Sequence, residues 1–274
     1  MKFLIEKRNY IILLIIILLI CFIVFNLGGK KQIYIKSFNY FNKVITVKIY
    51  DKVDSNKITK TINDIYKKYE SGKGDEDLIA YGKLLYKKSL GYIDITDTSL
   101  DYALKHGESL DFKTKINENY DKNNFDLIIS SYATSEVIDY FRQNDISSYI
   151  INENGNITVG KHYDNGKFRI SINKYKGDVL TIVNLEGKSM ATVNKTDSIN
   201  SYMINPKTSS VSDNFDSVTV IANDNLTATM LAQTLFLMNE EEGRGFIKSY
   251  DAAALWQKNG DVSYTDSFKK YEAN

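Results

Sequence analysis

An α+β domain behind a single N-terminal membrane helix is the fold class this sequence predicts, on three observations. Strand-like and helix-like segments alternate without a regular βαβ rhythm. The turn dipeptides Asn154-Gly155, Asn165-Gly166 and Glu186-Gly187 separate short β-rich runs in the second half, which is the pattern of hairpins. An apolar run without a single charge fills residues 10–27. With 274 residues and 43% hydrophobic content the chain can bury a sizeable core, and its one proline leaves no stiff linker to divide it. The expected organisation is a short N-terminal segment at 1–9, a transmembrane signal-anchor at 10–27, a linker at 28–37 and one globular domain at 38–274.

The apolar run, YIILLIIILLICFIVFNL, has 18 residues, enough for a helix to span a bilayer core, and Lys7, Arg8, Lys30 and Lys31 bracket it. A cleaved signal peptide is the competing reading. It is opposed by the length of the run and by the lack of a small-residue cleavage site after it. Basic residues flank both sides almost equally, so charge alone does not orient the helix.

Phe41 to Asp51, FNKVITVKIYD, reads as a strand from its β-branched and aromatic content. A helix follows, capped by Asp54 or Ser55, with Ile58, Ile62, Ile65, Tyr66 and Tyr69 on one face. A second helix starts near Asp75 with Leu78, Leu84 and Leu85 as core candidates, and a short third is expected over Ser99 to His106, ending at Gly107. Residues 111–124 read as a loop. Another helix covers about Tyr132 to Asn144. SVTVIA at 217–222 reads as a buried strand, and Asp224 or Asn225 then caps a helix that stays apolar through Met238. AALWQ, a turn at Asn259-Gly260 and a polar tail close the chain.

Composition removes several function classes. Lys and Arg number 35 against 34 Asp and Glu, so no basic surface speaks for nucleic acid. The single Cys21 lies inside the apolar run, which excludes disulfides, thiolate metal clusters and a cysteine nucleophile. His106 and His162 stand apart in polar surroundings with no acidic partner at a recognisable spacing.

Five segments in order carry a resemblance. FNKVITVKIYD is similar to an opening strand, and SLGYIDIT at 89–96 to a Ser-x-Gly-x-Phe-Asp-Ile-Thr segment. IINENGNITVG at 150–160 is similar to an Ile-Asn-x-Gly-Gly-Asn-Val turn, and SYMINPKT at 201–208 to His-Ile-x-Asp-Pro-x-Thr-Gly. NFDSVTVIANDNLTATMLAQTLFLMNEEEG at 214–243 is similar to a closing strand and helix. Together they resemble the ApbE family of FAD:protein FMN transferases. The resemblance implies an ApbE-like (T-fold-type) mixed sheet-and-helix domain, placed on the extracytoplasmic side of a cell membrane by a single-pass anchor. Family members cut FAD and transfer its FMN half to a Thr or Ser of an exported protein, with magnesium as cofactor.

The site positions that the resemblance carries over are substituted. The Asp-Leu-Gly-Gly-Ile-Ala-Lys-Gly-Tyr motif falls on NFDLIISSY, with Asn124 at the acidic position, Asp126 and Leu127 at the paired glycines, and Ser130 at the nucleotide-facing Lys or Glu. Tyr202 stands for His, Asn205 for Asp and Ser209 for Gly, while Pro206 and Thr208 persist. The Asp and Thr or Ser that hold magnesium one helical turn apart become Thr229 and Gln233. Magnesium normally takes at least one carboxylate, so the metal is expected to be lost and FAD binding is left in doubt. Asn124, Ser130, Tyr202 and Asn205 are the candidate cofactor-binding residues, and no catalytic residue is assigned. The expectation is a catalytically degenerate flavin- or partner-binding domain, with membrane lipid at residues 10–27 and an exported flavoprotein or an active paralogue as partners. The alternative is an active magnesium-dependent transferase in which Asp126 or Asp213 restores the metal. Asp94, Asn154 and Asn156 lie in matching segments but read first as turn or cap residues.

Overall fold

The computed structural model of the protein describes residues 33–95, 125, 127–196, 203–208 and 210–273. The expected membrane helix at 10–27, the helix at 99–106, the loop at 111–124, and Asn124, Asp126, Tyr202 and Ser209 lie outside the described residues. Among the described residues no helix is long and apolar enough to cross a membrane.

Strand β1 (Tyr34–Tyr40) pairs antiparallel with β2 (Lys43–Ile49). The sheet therefore starts inside the stretch 28–37 that the sequence assigns to a linker. The opening strand is a hairpin whose turn lies at Phe41-Asn42, both with φ of 55°, as a type I′ turn requires. Asn tolerates that conformation, whereas Phe is strained in it. Two contacts hold Phe41 there: its ring meets Tyr66 edge-on at 6.0 Å, and its N–H donates to Glu70 Oε1 at 3.0 Å.

Helix α1 (Ser55–Glu70) is capped by Asp54, whose Oδ1 accepts the N–H groups of Asn56 and Lys57 at 2.9 and 3.1 Å. Ile58, Ile62, Tyr66 and Tyr69 are buried, as their spacing predicts. In α2 (Asp75–Lys88) Leu78 and Leu85, seven residues apart, are buried, but Leu84 is 44% exposed. One residue is about 100° of helical turn, which swings Leu84 off the core face. Helix α3 (Ile129–Gln143) begins three residues earlier than expected.

Strands β3 (Tyr149–Glu153) and β4 (Asn156–Val159) form a hairpin over Asn154-Gly155, with φ of 50° and 103°. The other two turn dipeptides close no hairpin. Strands β5 (Phe168–Asn173) and β6 (Val179–Leu185) form a two-stranded ribbon through a turn containing Lys176 at φ 52°, and β6 is bridged at Val183 to Glu272 of the tail. Asn165-Gly166 leads the chain out of the main sheet into this ribbon, and Glu186-Gly187 leads it back into β7 (Lys188–Asn194).

The short pair β8 (Ile204–Asn205) and β9 (Ser210–Val211) precedes β10 (Ser217–Ala222). β10 is buried along its whole length because it lies between β7 and β11 (Ala253–Lys258) with both faces covered. Asp224 caps α4 (Asn225–Leu237) by accepting the Thr227 N–H at 2.7 Å. After α5 (Glu240–Ile247), β11 and β12 (Asp261–Tyr264) turn over Asn259-Gly260. The polar tail is not loose: residues 266–271 form a 3-10 helix that buries Phe268 and Tyr271.

The main sheet is antiparallel throughout, in the order β1-β2-β3-β4-β7-β10-β11-β12. The alternation along β10 divides the core: Val218, Val220 and Ala222 face the helices, and Ile221 faces the β5–β6 ribbon and the terminal 3-10 helix. Helix α4 is apolar all round because it is sandwiched between the sheet and α3.

Candidate functional site

The segment 127–134, at the start of α3, is stitched to α4 by side chain to backbone hydrogen bonds. Gln233 donates from Nε2 to the Leu127 carbonyl at 2.7 Å, and Asn225 donates from Nδ2 to the Ser131 carbonyl at 2.7 Å. Leu127, Ser130, Thr229 and Gln233, far apart in sequence, thus belong to one junction. The contacts themselves were not legible in the sequence.

Gln233 occupies its position as a donor. Its amide nitrogen is engaged by the Leu127 carbonyl, while its Oε1 is buried without a hydrogen-bond partner among the described residues. Thr229, one turn earlier on α4, is half-buried and offers only a neutral hydroxyl. Magnesium at this pair would meet no carboxylate from either residue, and the donor set does not fit the ion. Among the described residues there is also no group of three or more His, Cys, Asp or Glu able to hold a metal. Asp213, which could have restored a carboxylate, is exposed and paired with Lys195, whose ammonium holds it below the usual carboxylate range.

Ser130 is buried in the first turn of α3 and accepts a hydrogen bond from Lys43 Nζ at 2.7 Å. Lys43 opens β2 and is far from the motif in sequence; no sequence signal linked the two. Asn205 is spent on its own loop: Oδ1 accepts the Lys207 N–H at 3.0 Å and Nδ2 donates to the Leu237 carbonyl at 3.3 Å. That Asx turn ties the Asn-Pro segment to the end of α4. Asn156 bridges strands by accepting the Thr192 N–H at 2.9 Å, and Asn154 supplies the left-handed turn. Asp224 is a cap, as expected.

The residue that sequence reasoning missed is Glu153. It ends β3 on the same face as Ile151, under α3, and is 5% exposed. Extending the inward alternation of YIINE by one step would have placed it there. Burial pushes its carboxyl up to about 7, against the opposing pull of the Thr134 hydroxyl, the Lys43 ammonium and the Ser130 hydroxyl. Its Oε1 has no hydrogen-bond partner among the described residues. Beside it lies a cavity of about 10 Å³, lined also by Thr134, Asn156, Thr158, Asn225 and Thr229. That is room for about one water-sized particle. Gln233 does not line it.

The same fold recurs in solved structures. The flavin transferase ApbE from Vibrio cholerae superposes with a TM-score of 0.71 at 17% identity, covering 88% of this chain and 99% of that one. An ApbE protein from Thermotoga maritima gives 0.74 at 15% identity, covering 89% and 100%. The apo flavinyl transferase ApbE from Pseudomonas stutzeri gives 0.71 at 18%, covering 89% and 99%. No curated protein matches the sequence. At these identities the structures speak for the fold, and the sequence itself speaks for the family, since the ApbE family model matches residues 48–256. The chain belongs to the ApbE family, whose flavin transferases use FAD as substrate and a divalent metal.

Proposed function

We propose that this protein is a membrane-anchored ApbE-family member that has given up flavin transfer and keeps the scaffold as a flavin- or partner-binding domain. The observation that carries this reading is the Gln233 amide on the Leu127 carbonyl, with a neutral Thr229 one turn away. The motif resemblance aligns these two residues with the pair the family uses for its metal, and a donor and a neutral hydroxyl at those positions support the reading. Phosphoryl transfer without a cation loses the main stabiliser of the charge that develops on the transferring group. Asn205 is anchored at both ends of its amide, to the Lys207 N–H and the Leu237 carbonyl, which fixes its orientation. An exported flavoprotein or an active paralogue is the partner that fits a retained scaffold.

The test is direct. The full chain in detergent is incubated with FAD, Mg²⁺ and an exported acceptor protein bearing a target Thr, and the acceptor is weighed intact. No FMN adduct is expected; an adduct that depends on both FAD and Mg²⁺ makes the protein an active transferase. The anchor rests on the uncharged run at 10–27, and the family resemblance supports an extracytoplasmic domain. The native chain should stay with membranes after alkaline extraction and retain its N-terminus. A mature chain that begins downstream of residue 27 would refute the anchor.

A further inference from the structure

We propose that the C-terminal end of α2 docks a segment of a partner protein that presents an apolar side chain among acidic ones. Tyr86 and Leu90 form the apolar part of this surface, with Lys87 and Lys88 between them in the chain. The surface stands whether or not the chain transfers flavin.

Leu90 is unfavourable to the free protein twice over. Helix α2 closes with two backward bonds, from the Gly91 N–H to the Tyr86 carbonyl at 2.7 Å and from the Leu90 N–H to the Lys87 carbonyl at 3.3 Å. Leu90 thereby takes the left-handed position of the cap, with φ of 55°, where glycine is usual and asparagine is tolerated. It is also 59% exposed, so a strained backbone holds an apolar side chain in water. Phe41, the other apolar residue at positive φ among the described residues, is held there by Tyr66 and Glu70. Leu90 gains no comparable burial. Tyr86, four residues earlier, is 51% exposed and its ring lies within van der Waals reach of Gly91.

The surroundings give the patch a fixed shape and a charge. The Tyr250 hydroxyl donates to the Lys88 carbonyl at 3.4 Å and its ring packs on Phe246 at 5.4 Å, which joins the end of α5 to the end of α2. Just after the cap, Tyr92 is buried, donates to Glu242 Oε1 at 2.7 Å and carries Lys207 Nζ over its ring at 3.8 Å. Residues 78–93 contain Lys83, Lys87 and Lys88 and no Asp or Glu, and all three lysines are exposed, as is Lys207. Lysines alone would suffice to complement the helix dipole. Exposed Leu90 and Tyr86 among them match a partner whose carboxylates surround an apolar side chain. An anionic bilayer suits the surface less well, because Glu242 stands at its border and two apolar side chains offer little to insert.

The test is fluorescence anisotropy of a labelled peptide of glutamate, leucine and glycine titrated with the full chain in neutral detergent, with a peptide carrying lysine for glutamate as control. The acidic peptide is expected to bind in the micromolar range and more weakly as salt rises, and the control not to bind. Leu90→Asn should weaken binding at least about fivefold while its unfolding midpoint stays level or rises by about 2 °C, because asparagine accepts the left-handed position. Lys88→Glu should weaken binding by at least as much. A fall in the midpoint of Leu90→Asn would make Leu90 a packing residue and overturn the proposal. So would equal affinity in the wild type and both variants, or no binding by the wild type. If the peptide does not bind and a dye on Leu90→Cys, in a Cys21→Ser background, shifts to the blue when phosphatidylglycerol is mixed into the detergent, the surface belongs to lipid instead. None of these readouts depends on flavin.

Discussion

Exchanging the substituted metal pair tests whether Gln233 stands in for a cation. In Thr229→Asp with Gln233→Thr, the bond from Gln233 Nε2 to the Leu127 carbonyl is lost, and a carboxylate and a hydroxyl come to lie one turn apart on α4. Leaving the Leu127 carbonyl unpaired costs about 1–3 kcal/mol. Removing the unpartnered Gln233 Oε1 returns part of that, and the new carboxylate must be desolvated near Glu153. The metal-free double variant should therefore be less stable than the wild type by roughly 2 kcal/mol. If Mg²⁺ then takes the vacated carbonyl together with the new ligands, 100 times its Kd contributes about 2.7 kcal/mol. At about 2–4 °C per kcal/mol for a domain of this size, the midpoint should rise by about 5–10 °C. The wild type should move by less than about 1 °C under the same titration. The assay is thermal unfolding of both full-length proteins in detergent, titrated with MgCl₂ at fixed ionic strength. A wild type that rises as far as the double variant would refute the claim that Gln233 displaced the ion. A double variant that does not respond would show that the Leu127 carbonyl and this face of α4 do not make a metal site. Transfer activity is not expected to return, because Ser130 and Asn205 remain committed to Lys43 and Leu237.

Glu153 makes stability pH-dependent: its carboxyl is raised from 4.5 to about 7 on folding, so its contribution is complete below about 4.5 and is lost as pH rises to about 7. Glu153→Gln removes that loss, and at pH 8 the variant should be more stable than the wild type by about 3 kcal/mol in urea unfolding, with the two curves converging toward pH 4.5. If the gap between them is constant with pH, Glu153 is not the titrating group. Asp54→Ala removes the acceptor of two N–H groups at the start of α1 and should cost about 1 kcal/mol, read as a 2–4 °C fall in the midpoint. Asp54→Asn should recover most of it, and an unchanged midpoint in the Ala variant would mean that the cap contributes nothing.

Features set by neighbours in the chain were legible in the sequence. The caps at Asp54 and Asp224, the inward stripe of α1, the left-handed turn at Asn154-Gly155 and the buried SVTVIA strand each depend on a few consecutive side chains and on helix or strand periodicity. Membership of the family was equally visible, because motif order survives where side chains change. Pairing was not. The same turn signals occur at Asn154-Gly155, where a hairpin closes, and at Glu186-Gly187, where the chain crosses from the β5–β6 ribbon back into the main sheet. A dipeptide sets local φ and ψ but does not select the partner strand. Nor did the sequence reveal that Lys43 meets Ser130, that Gln233 covers Leu127, or that Glu153 is sealed beside a water-sized cavity. Those contacts join residues 87 and 106 positions apart in the first two cases. They exist only because sheet order and helix packing bring α3 against α4, which lies on β7 and β10, and burial in that assembled layer decides whether a polar side chain is a solvated surface group or a group that must find a partner.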